Sequence, residues 1–199
     1  CCGGKVRARQ RPFPCLSNMR SVLPALLVGL ALARAAQDPA ALDAEALRLA
    51  AKQQPAEAEE LWSQAVRISP EYFPALFNLG YFYFQQQKFT EAESMLRRAS
   101  ESSRGDFNSH YLLGVTLLKL HRSDDALRAW RDALRIQPRN LRLMQVMSVE
   151  YSKGRYFGEA AALAKKALDL NSEEPNLYFL AIKAYQDAGD YPADRKSVV

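Results

Sequence analysis

The stretch LGYFYFQQQKF, residues 79–89, recurs in outline 34 residues later as LGVTLLKLHRS, residues 113–123. Both stretches begin with Leu-Gly and carry a large apolar residue three positions after the glycine. Self-similarity at a fixed period specifies architecture more strongly than local propensity does, so the middle of the chain is predicted to be an array of repeated units. The large residue recurs at Tyr83, Leu117, Tyr151 and Tyr185.

Small residues follow the same 34-residue step in a second register. They occupy positions where two helices must approach closely, and large residues between them fill the space between helices and units. Matches in consecutive units without an insertion predict four full repeats and the first half of a fifth over residues 39–191. The small residues are Ala58, Ala92, Ala126 and Ala160, then Ala65, Ala99, Ala133 and Ala167, with Trp62, Leu96, Trp130 and Ala164 between them.

This pattern resembles the tetratricopeptide repeat family, in which Leu-Gly and an aromatic residue mark the first helix of a unit and small residues mark the second. The resemblance implies an all-α fold, a right-handed α-solenoid of 34-residue helix-turn-helix repeats. Departures from the pattern are Glu45 and Ala46 in place of Leu-Gly and Ser148 in place of the glycine. The residues predicted to pack the repeats are Gly80, Tyr83, Ala92, Gly114, Ala126, Trp130, Tyr151, Ala160 and Tyr185.

Helix boundaries are predicted from the period together with capping and proline signals. Thr90 followed by Glu93 is a potential capping box, and Ser123 is a potential cap of the equivalent helix. Proline at 70, 138 and 175 falls between units, where a helix must end. The predicted helices span about 41–53, 56–68, 73–86, 90–102, 107–120, 124–136, 141–153, 158–170 and 175–188.

The N-terminal region is predicted to lie outside the array. Residues 1–18 show no Met and no apolar period, and we interpret them as an unstructured leader or upstream read-through. Residues 19–36 begin with Met19 and continue with a positive charge, an apolar run and an A-x-A site, an order typical of a secretory signal peptide. This predicts a periplasmic, cell-envelope or secreted location, with an organellar or cytoplasmic location as the alternative. The apolar run is too short to span a bilayer of about 30 Å.

The C-terminal residues 194–199, DRKSVV, are interpreted as a non-native tail, because they resemble a translated sequencing adapter and Asp194 stands where the repeat requires a small residue. On this interpretation the natural chain continues past about Ala193. One alternative function follows: the array is the N-terminal interaction region of a longer, truncated enzyme.

The net charge of +5 is concentrated in the leader. Six of the 27 basic residues lie in residues 1–36, which contain no acid, so 21 basic side chains remain against 22 acidic ones. The array is therefore near neutral and does not favour a nucleic-acid partner. One basic stripe, RAWRDALRIQPRNLR at 128–142, is predicted to be a solvated outer face, with anion or nucleic-acid binding as a weaker alternative.

The sequence offers little for catalysis or metal binding, and we predict neither an enzyme nor a cofactor. All three cysteines, Cys1, Cys2 and Cys15, lie in the leader, so the array has no thiolate for a disulfide or a metal. Its two histidines, His110 and His121, are eleven residues apart, on one helix and in the turn after it, and no cysteine accompanies them. No phosphate loop, H-E-x-x-H or G-x-S-x-G motif is present.

The remaining candidate site is a groove for a protein or peptide partner. In the family that the pattern resembles, the first helix of each unit lines a concave surface, and aromatic side chains there are typical anchors. The alternatives are that these rings cover core, or that an N-terminal helix of the chain fills the groove. Lys and Asn clamps for a chaperone tail are not expected, since Phe77 and Tyr81 replace them. The predicted groove residues are Phe77, Asn78, Tyr81, Phe84, Asn108, Tyr111, Leu112, Val115, Gln145, Val149 and Phe179, together with Arg142 and Lys183.

Overall fold

The computed structural model describes residues 38–171, 173 and 175–189, with residues 187 and 188 as backbone only. Within these ranges the chain forms nine α-helices and no strand. No helix boundary differs from its predicted position by more than two residues, because period and proline placement specify it closely. The helices are α1 Pro39–Ala51, α2 Pro55–Ile68, α3 Phe73–Gln85, α4 Phe89–Ser102, α5 Phe107–Lys119, α6 Ser123–Ile136, α7 Leu141–Lys153, α8 Phe157–Leu170 and α9 Pro175–Ala188.

The predicted leader, signal peptide and C-terminal tail, residues 1–18, 19–36 and 194–199, lie outside the described residues. Export therefore stays a prediction.

The helices form two layers of an all-α repeat solenoid. Each odd-numbered helix pairs with the even-numbered helix that follows it, and α9 packs on α8. Odd-numbered helices also touch one another directly, α1 with α3, α3 with α5 and α7 with α9. These direct contacts define what we call the inner surface, the layer built by α1, α3, α5, α7 and α9.

In the second and third units a glycine of the first helix packs against a residue 16 positions later. A Cβ built on Gly114 would lie 2.3 Å from Nε1 of Trp130, and one on Gly80 would lie 2.8 Å from Cγ of Leu96. Since real Cβ contacts are never this short, only glycine lets these helices approach so closely. In the fourth unit Ser148 replaces the glycine, and its buried hydroxyl donates to the backbone oxygen of Ala160 at 2.9 Å.

The core is a series of clusters that follow one another along the solenoid. Leu42, Ala46, Trp62 and Leu79 belong to the first cluster, and Trp130 belongs to a later one with Leu143 and Met147. Of the residues predicted to pack the repeats, the tyrosines are only half-buried. The structure half-buries Tyr83, Tyr151 and Tyr185 and buries Gly80, Ala92, Gly114, Ala126, Trp130 and Ala160.

Both predicted caps are wrong. α4 begins one residue before Thr90, so Thr90 lies inside the first turn, and the N-cap position belongs to Lys88, whose side chain makes no capping bond. Ser123 is the first residue of α6, and its hydroxyl donates to Oε1 of Glu150 at 2.8 Å. Side-chain caps instead open the odd-numbered helices α1, α5 and α7, at Asp38, Asp106 and Asn140.

A repeated turn explains why the even-numbered helices start without caps. One residue in each turn from an odd to an even helix adopts a left-handed backbone, and the following N–H bonds back to a carbonyl five residues earlier. For His121, φ is 59°, and the N–H of Arg122 reaches the oxygen of Leu117 at 2.9 Å. This Schellman-type closure leads directly into the next helix. The left-handed residues are Gln53, Gln87, His121 and Arg155.

Candidate functional site

Large apolar side chains are exposed along the inner surface at repeated positions. Leu47, Tyr81 and Val149 belong to one 34-residue row on α1, α3 and α7, and they are 48%, 45% and 43% exposed. Val115, the member of this row on α5, is half-buried. Phe179 on α9 is 75% exposed. An apolar row that recurs in register across several units is a continuous surface rather than scattered exposure.

The predicted groove residues divide into an exposed and a half-buried group. Tyr81, Asn108, Val149 and Phe179 are exposed. Most of the others pack on core clusters in the seams between helices, and Asn78 hydrogen-bonds to Asp43. The half-buried residues are Phe77, Asn78, Phe84, Tyr111, Leu112, Val115 and Gln145.

Phe84, predicted to line the groove, is half-buried. Its ring meets the ring of Phe89 edge to face, with centroids 5.8 Å apart, and it packs against the cluster that contains Ala92 and Leu96. The reason is that α3 packs between α4 and α5, so a residue three positions after Tyr81 has already turned toward the seam.

Asn78 is tied into the structure instead of presenting a free amide. Its side-chain nitrogen donates to Oδ1 of Asp43 at 2.8 Å, and Nε1 of Trp62 donates to the same oxygen at 2.9 Å. Asp43 is only 8% exposed, so these two donors offset the cost of burying its carboxylate. Sequence reasoning missed Asp43, although it holds the position in its unit that Phe77 and Tyr111 hold in theirs.

Tyr111 connects the inner surface to the core. Its ring stacks on Phe107 with centroids 5.7 Å apart, and its backbone oxygen accepts a hydrogen bond from Nε1 of Trp130 at 3.0 Å. A truncation at Tyr111 therefore disturbs packing as well as the surface, whereas Tyr81 has no ring contact or hydrogen bond among the described residues.

Charge is sorted between the two layers. Helices α3, α5 and α7 contain one acidic residue, Glu150, which is buried and accepts hydrogen bonds from Ser123 at 2.8 Å and Lys153 at 3.0 Å. Even-numbered helices each carry acidic residues. The inner surface from α3 to α7 is thus apolar and weakly basic. Its exposed basic residues are Lys119, Arg142 and Lys153, with Lys183 following on α9.

The basic stripe is partly neutralised by its own helix. Arg128 pairs with Asp125 and Arg135 with Asp132, each three residues apart on α6. The hydrogen bond from Arg122 is the main cause that lowers the pKa of Asp125 from its usual value of 3.8. These pairs neutralise two of the five arginines of the stripe and so weaken its field for an anion or a nucleic acid.

Comparison with known proteins agrees with this geometry. Residues 49–116 match the family model described as tetratricopeptide repeat. Over these residues the array is similar to tetratricopeptide repeats. No curated protein sequence matches the chain significantly.

Solved structures resemble this helical array over most of its length. YrrB, a TPR protein, superposes with a TM-score of 0.69 at 16% identity, covering 82% of this chain and 84% of that one. A crystal structure of MamA gives 0.63 at 21%, covering 73% and 85%. A tetratricopeptide repeat protein from Parabacteroides merdae gives 0.66 at 18%, covering 77% and 61%. At these sequence identities the structural similarity shows the fold alone.

The tetratricopeptide repeat fold indicates a scaffold for protein–protein interaction, and its members are generally non-catalytic. Within the described ranges no helix is both long and apolar enough to cross a membrane. The same part of the chain holds no group of three His, Cys, Asp or Glu residues placed to share a metal ion. His110 lines an outer cleft, whereas His121 lies in a turn, so the two histidines do not form one site.

Proposed function

We propose that this protein is a non-catalytic interaction module that binds a peptide or helical segment of a partner protein on its inner surface. The observation that carries the proposal is the in-register row of exposed apolar side chains, Leu47, Tyr81 and Val149. Rigid aromatic side chains such as Tyr81 lose little conformational entropy on binding, which makes them effective anchors.

The charge distribution narrows the chemistry of the bound segment. The exposed ionisable groups of α5 and α7 on this surface are Lys119, Arg142 and Lys153, and no exposed acid of α3, α5 or α7 opposes them. A segment with apolar side chains and a neutral or acidic charge is complementary to such a surface, because like charges across an interface cost affinity. YrrB, whose fold this chain shares, is described as having an unusual peptide-binding site, which supports a peptide ligand by analogy.

The test is a selection of 12-residue peptides from a random phage-displayed library against the full chain, followed by fluorescence polarisation with the best peptide. We expect the selected peptides to be rich in apolar and acidic residues. Tyr81→Ala is expected to weaken binding by at least about tenfold, as removal of a central aromatic anchor does. The circular dichroism spectrum of this variant should be unchanged, since the Tyr81 side chain makes few contacts with the rest of the protein.

Tyr156→Ala is the matched control. Tyr156 is also a tyrosine and is 43% exposed, but it packs on Tyr151 and near Asp124, outside the inner surface. Its truncation should leave the dissociation constant unchanged. Equal binding by wild type and Tyr81→Ala, or equal weakening by both variants, would refute binding at the inner surface.

A further inference from the structure

The joints between successive units are packed by three side chains that recur at fixed positions. At the joint between the first and second units these are Val66, Leu76 and Met95, and at the joint between the third and fourth they are Leu134, Met144 and Leu163. Leu134 and Leu163 pack on buried Met144 in one cluster, while Val66 and Met95 pack on the first cluster. Large aliphatic side chains therefore seal these two joints.

The middle joint breaks this rule at all three positions. The equivalent residues are Ser100, His110 and Ala129. All three line one cleft of about 720 Å³ between α4 and α6, with α5 at its base. His110 is about as large as the residues it replaces, but Ser100 and Ala129 are much smaller than the Val, Leu or Met at their positions in the neighbouring joints, so aliphatic volume is missing at this joint.

The base of this α4–α6 cleft is apolar apart from the imidazole of His110. Leu113, Leu117 and Ala129 form part of it, and Ile136 lies at one end. The hydroxyl of Ser100 already donates to the backbone oxygen of Arg97 at 2.7 Å, so it offers no unsatisfied donor to a ligand. From Asp125 to Ile136 the wall supplied by α6 is about three helical turns long, at about 1.5 Å per residue.

The walls are charged but nearly balanced. Arginines and acids alternate along both α4 and α6, and several are already engaged: Arg97 bonds to Glu93 at 2.6 Å, and Arg128 pairs with Asp125. A strongly charged ligand gains little from walls whose charges are paired with each other. The charged residues of the walls are Arg97, Glu101, Arg104, Asp125, Arg128, Asp132 and Arg135.

We propose that the α4–α6 cleft is a second docking site, distinct from the inner surface, that binds a near-neutral amphipathic helix of about three turns from a partner protein. The Leu or Met side chains of that helix occupy the space that Leu and Met side chains fill in the neighbouring joints. Its polar flanks meet walls of both signs, which is the complementarity expected for a helix with alternating charges.

The probe is a phage-displayed library of 16-residue helical peptides with one randomised face, selected against the full chain. Bound peptides are then measured by fluorescence polarisation. We expect peptides with Leu or Met at helical spacing, whose affinity changes little with salt concentration because few ions are released. The double variant Ser100→Leu with Ala129→Leu fills the cleft with the side chains of the next joint and should weaken binding by at least about tenfold.

Three further variants keep the outcome decisive. Ala129→Leu alone is a milder filling that should still weaken binding if the double variant folds poorly. Ala162→Leu adds the same side chain at an exposed site of α8 and should bind as wild type does. Tyr81→Ala should also bind normally, which separates this site from the inner surface.

Failure to select any peptide that distinguishes wild type from the filled variants would overturn the proposal. So would selection of peptides without apolar residues at helical spacing, or displacement of the peptide by a single-stranded DNA oligonucleotide at low salt.

Discussion

Gly114→Ala tests the close approach of α5 and α6 directly. The new Cβ would lie 2.3 Å from Nε1 and 2.4 Å from Cδ1 of Trp130, a rigid ring that is fully buried. Because the ring cannot move aside without disturbing its neighbours, the two helices must separate or the indole must rotate. Either change breaks the hydrogen bond of 3.0 Å from Nε1 of Trp130 to the backbone oxygen of Tyr111.

The size of the effect follows from three contributions. Overpacking of a core costs about 1–3 kcal/mol, and loss of one neutral buried hydrogen bond costs about 1 kcal/mol. Replacing glycine by alanine inside a helix returns about 0.5–1 kcal/mol. We therefore expect the free energy of unfolding to fall by about 2 kcal/mol, on the basis of these magnitudes. Gly80→Ala should cost less, because its Cβ would lie 2.8 Å from the nearest atom of Leu96, against 2.3 Å from Trp130 at Gly114.

Urea unfolding followed by circular dichroism at 222 nm measures this, with the unfolding slope checked because repeat arrays can lose cooperativity. Gly158→Ala is the control: Gly158 is also helical, but a Cβ there meets nothing within 4 Å. That variant should be as stable as wild type or more stable by about 0.5–1 kcal/mol. Equal stability of Gly114→Ala and Gly158→Ala would refute the close-approach reasoning.

Two further predictions concern buried polar groups. Trp62→Phe removes the N–H donor that lies 2.9 Å from the buried carboxylate of Asp43. Because that hydrogen bond is made to a charged group, the free energy of unfolding in urea titrations should fall by about 1.5–3 kcal/mol. The hydrogen bond of Trp130 is made to a carbonyl, so a loss for Trp62→Phe no larger than the loss for Trp130→Phe would contradict this. Burial, followed by the hydrogen bond to Glu59, raises the pKa of Tyr83 above its usual 10.0, so the native state holds this proton more tightly than the unfolded state. Stability from Tyr83 is thus complete below about pH 10 and declines as the pH rises through the native pKa. Tyr83→Phe should flatten that alkaline decline in the urea midpoint, and an unchanged slope would argue against it.

The positions of the helices were predictable because the chain repeats. The chain repeats every 34 residues, with Gly80 and Gly114 in one register and alanines in another, and the helices pack where these small residues face each other. The boundaries of the nine helices within the described residues therefore lie within two residues of the predicted boundaries. Ser148 in place of glycine did not disturb this arrangement, since its hydroxyl donates to the backbone oxygen of Ala160 and its unit has Ala164 where others have Trp or Leu.

Local capping rules were less reliable. Thr90 and Ser123 fit the capping pattern, but the turn before each helix is closed by a left-handed residue, Gln87 or His121, whose backbone conformation is disfavoured outside glycine. Nothing in residue type marks these positions. The left-handed conformation is held in place because the two packed helices on either side keep the ends of each turn at a fixed separation.

The candidate site was only partly predictable. Helical projection places Tyr81, Phe84 and Tyr111 on related faces, yet Tyr81 is open, Phe84 packs on Phe89, and Tyr111 anchors Trp130 through its backbone. Whether a ring lies on a surface or in a seam depends on how closely the next unit approaches, which the sequence of one helix does not contain. Asp43 was missed for the same reason, since its two donors come from helices 19 and 35 residues away.

The sequence by itself determined the class of structure: period, small-residue registers and prolines specify an all-α array of helix-turn-helix repeats, because each unit can bury its apolar face only against the next. Only the tertiary structure decided which apolar residues stay exposed and where packing is incomplete. The row from Leu47 to Val149 and the cleft at Ser100, His110 and Ala129 both arise between units. Surfaces of that kind depend on how side chains from three helices pack together. The sequence gives the volume of each side chain, but it does not say which side chains come into contact.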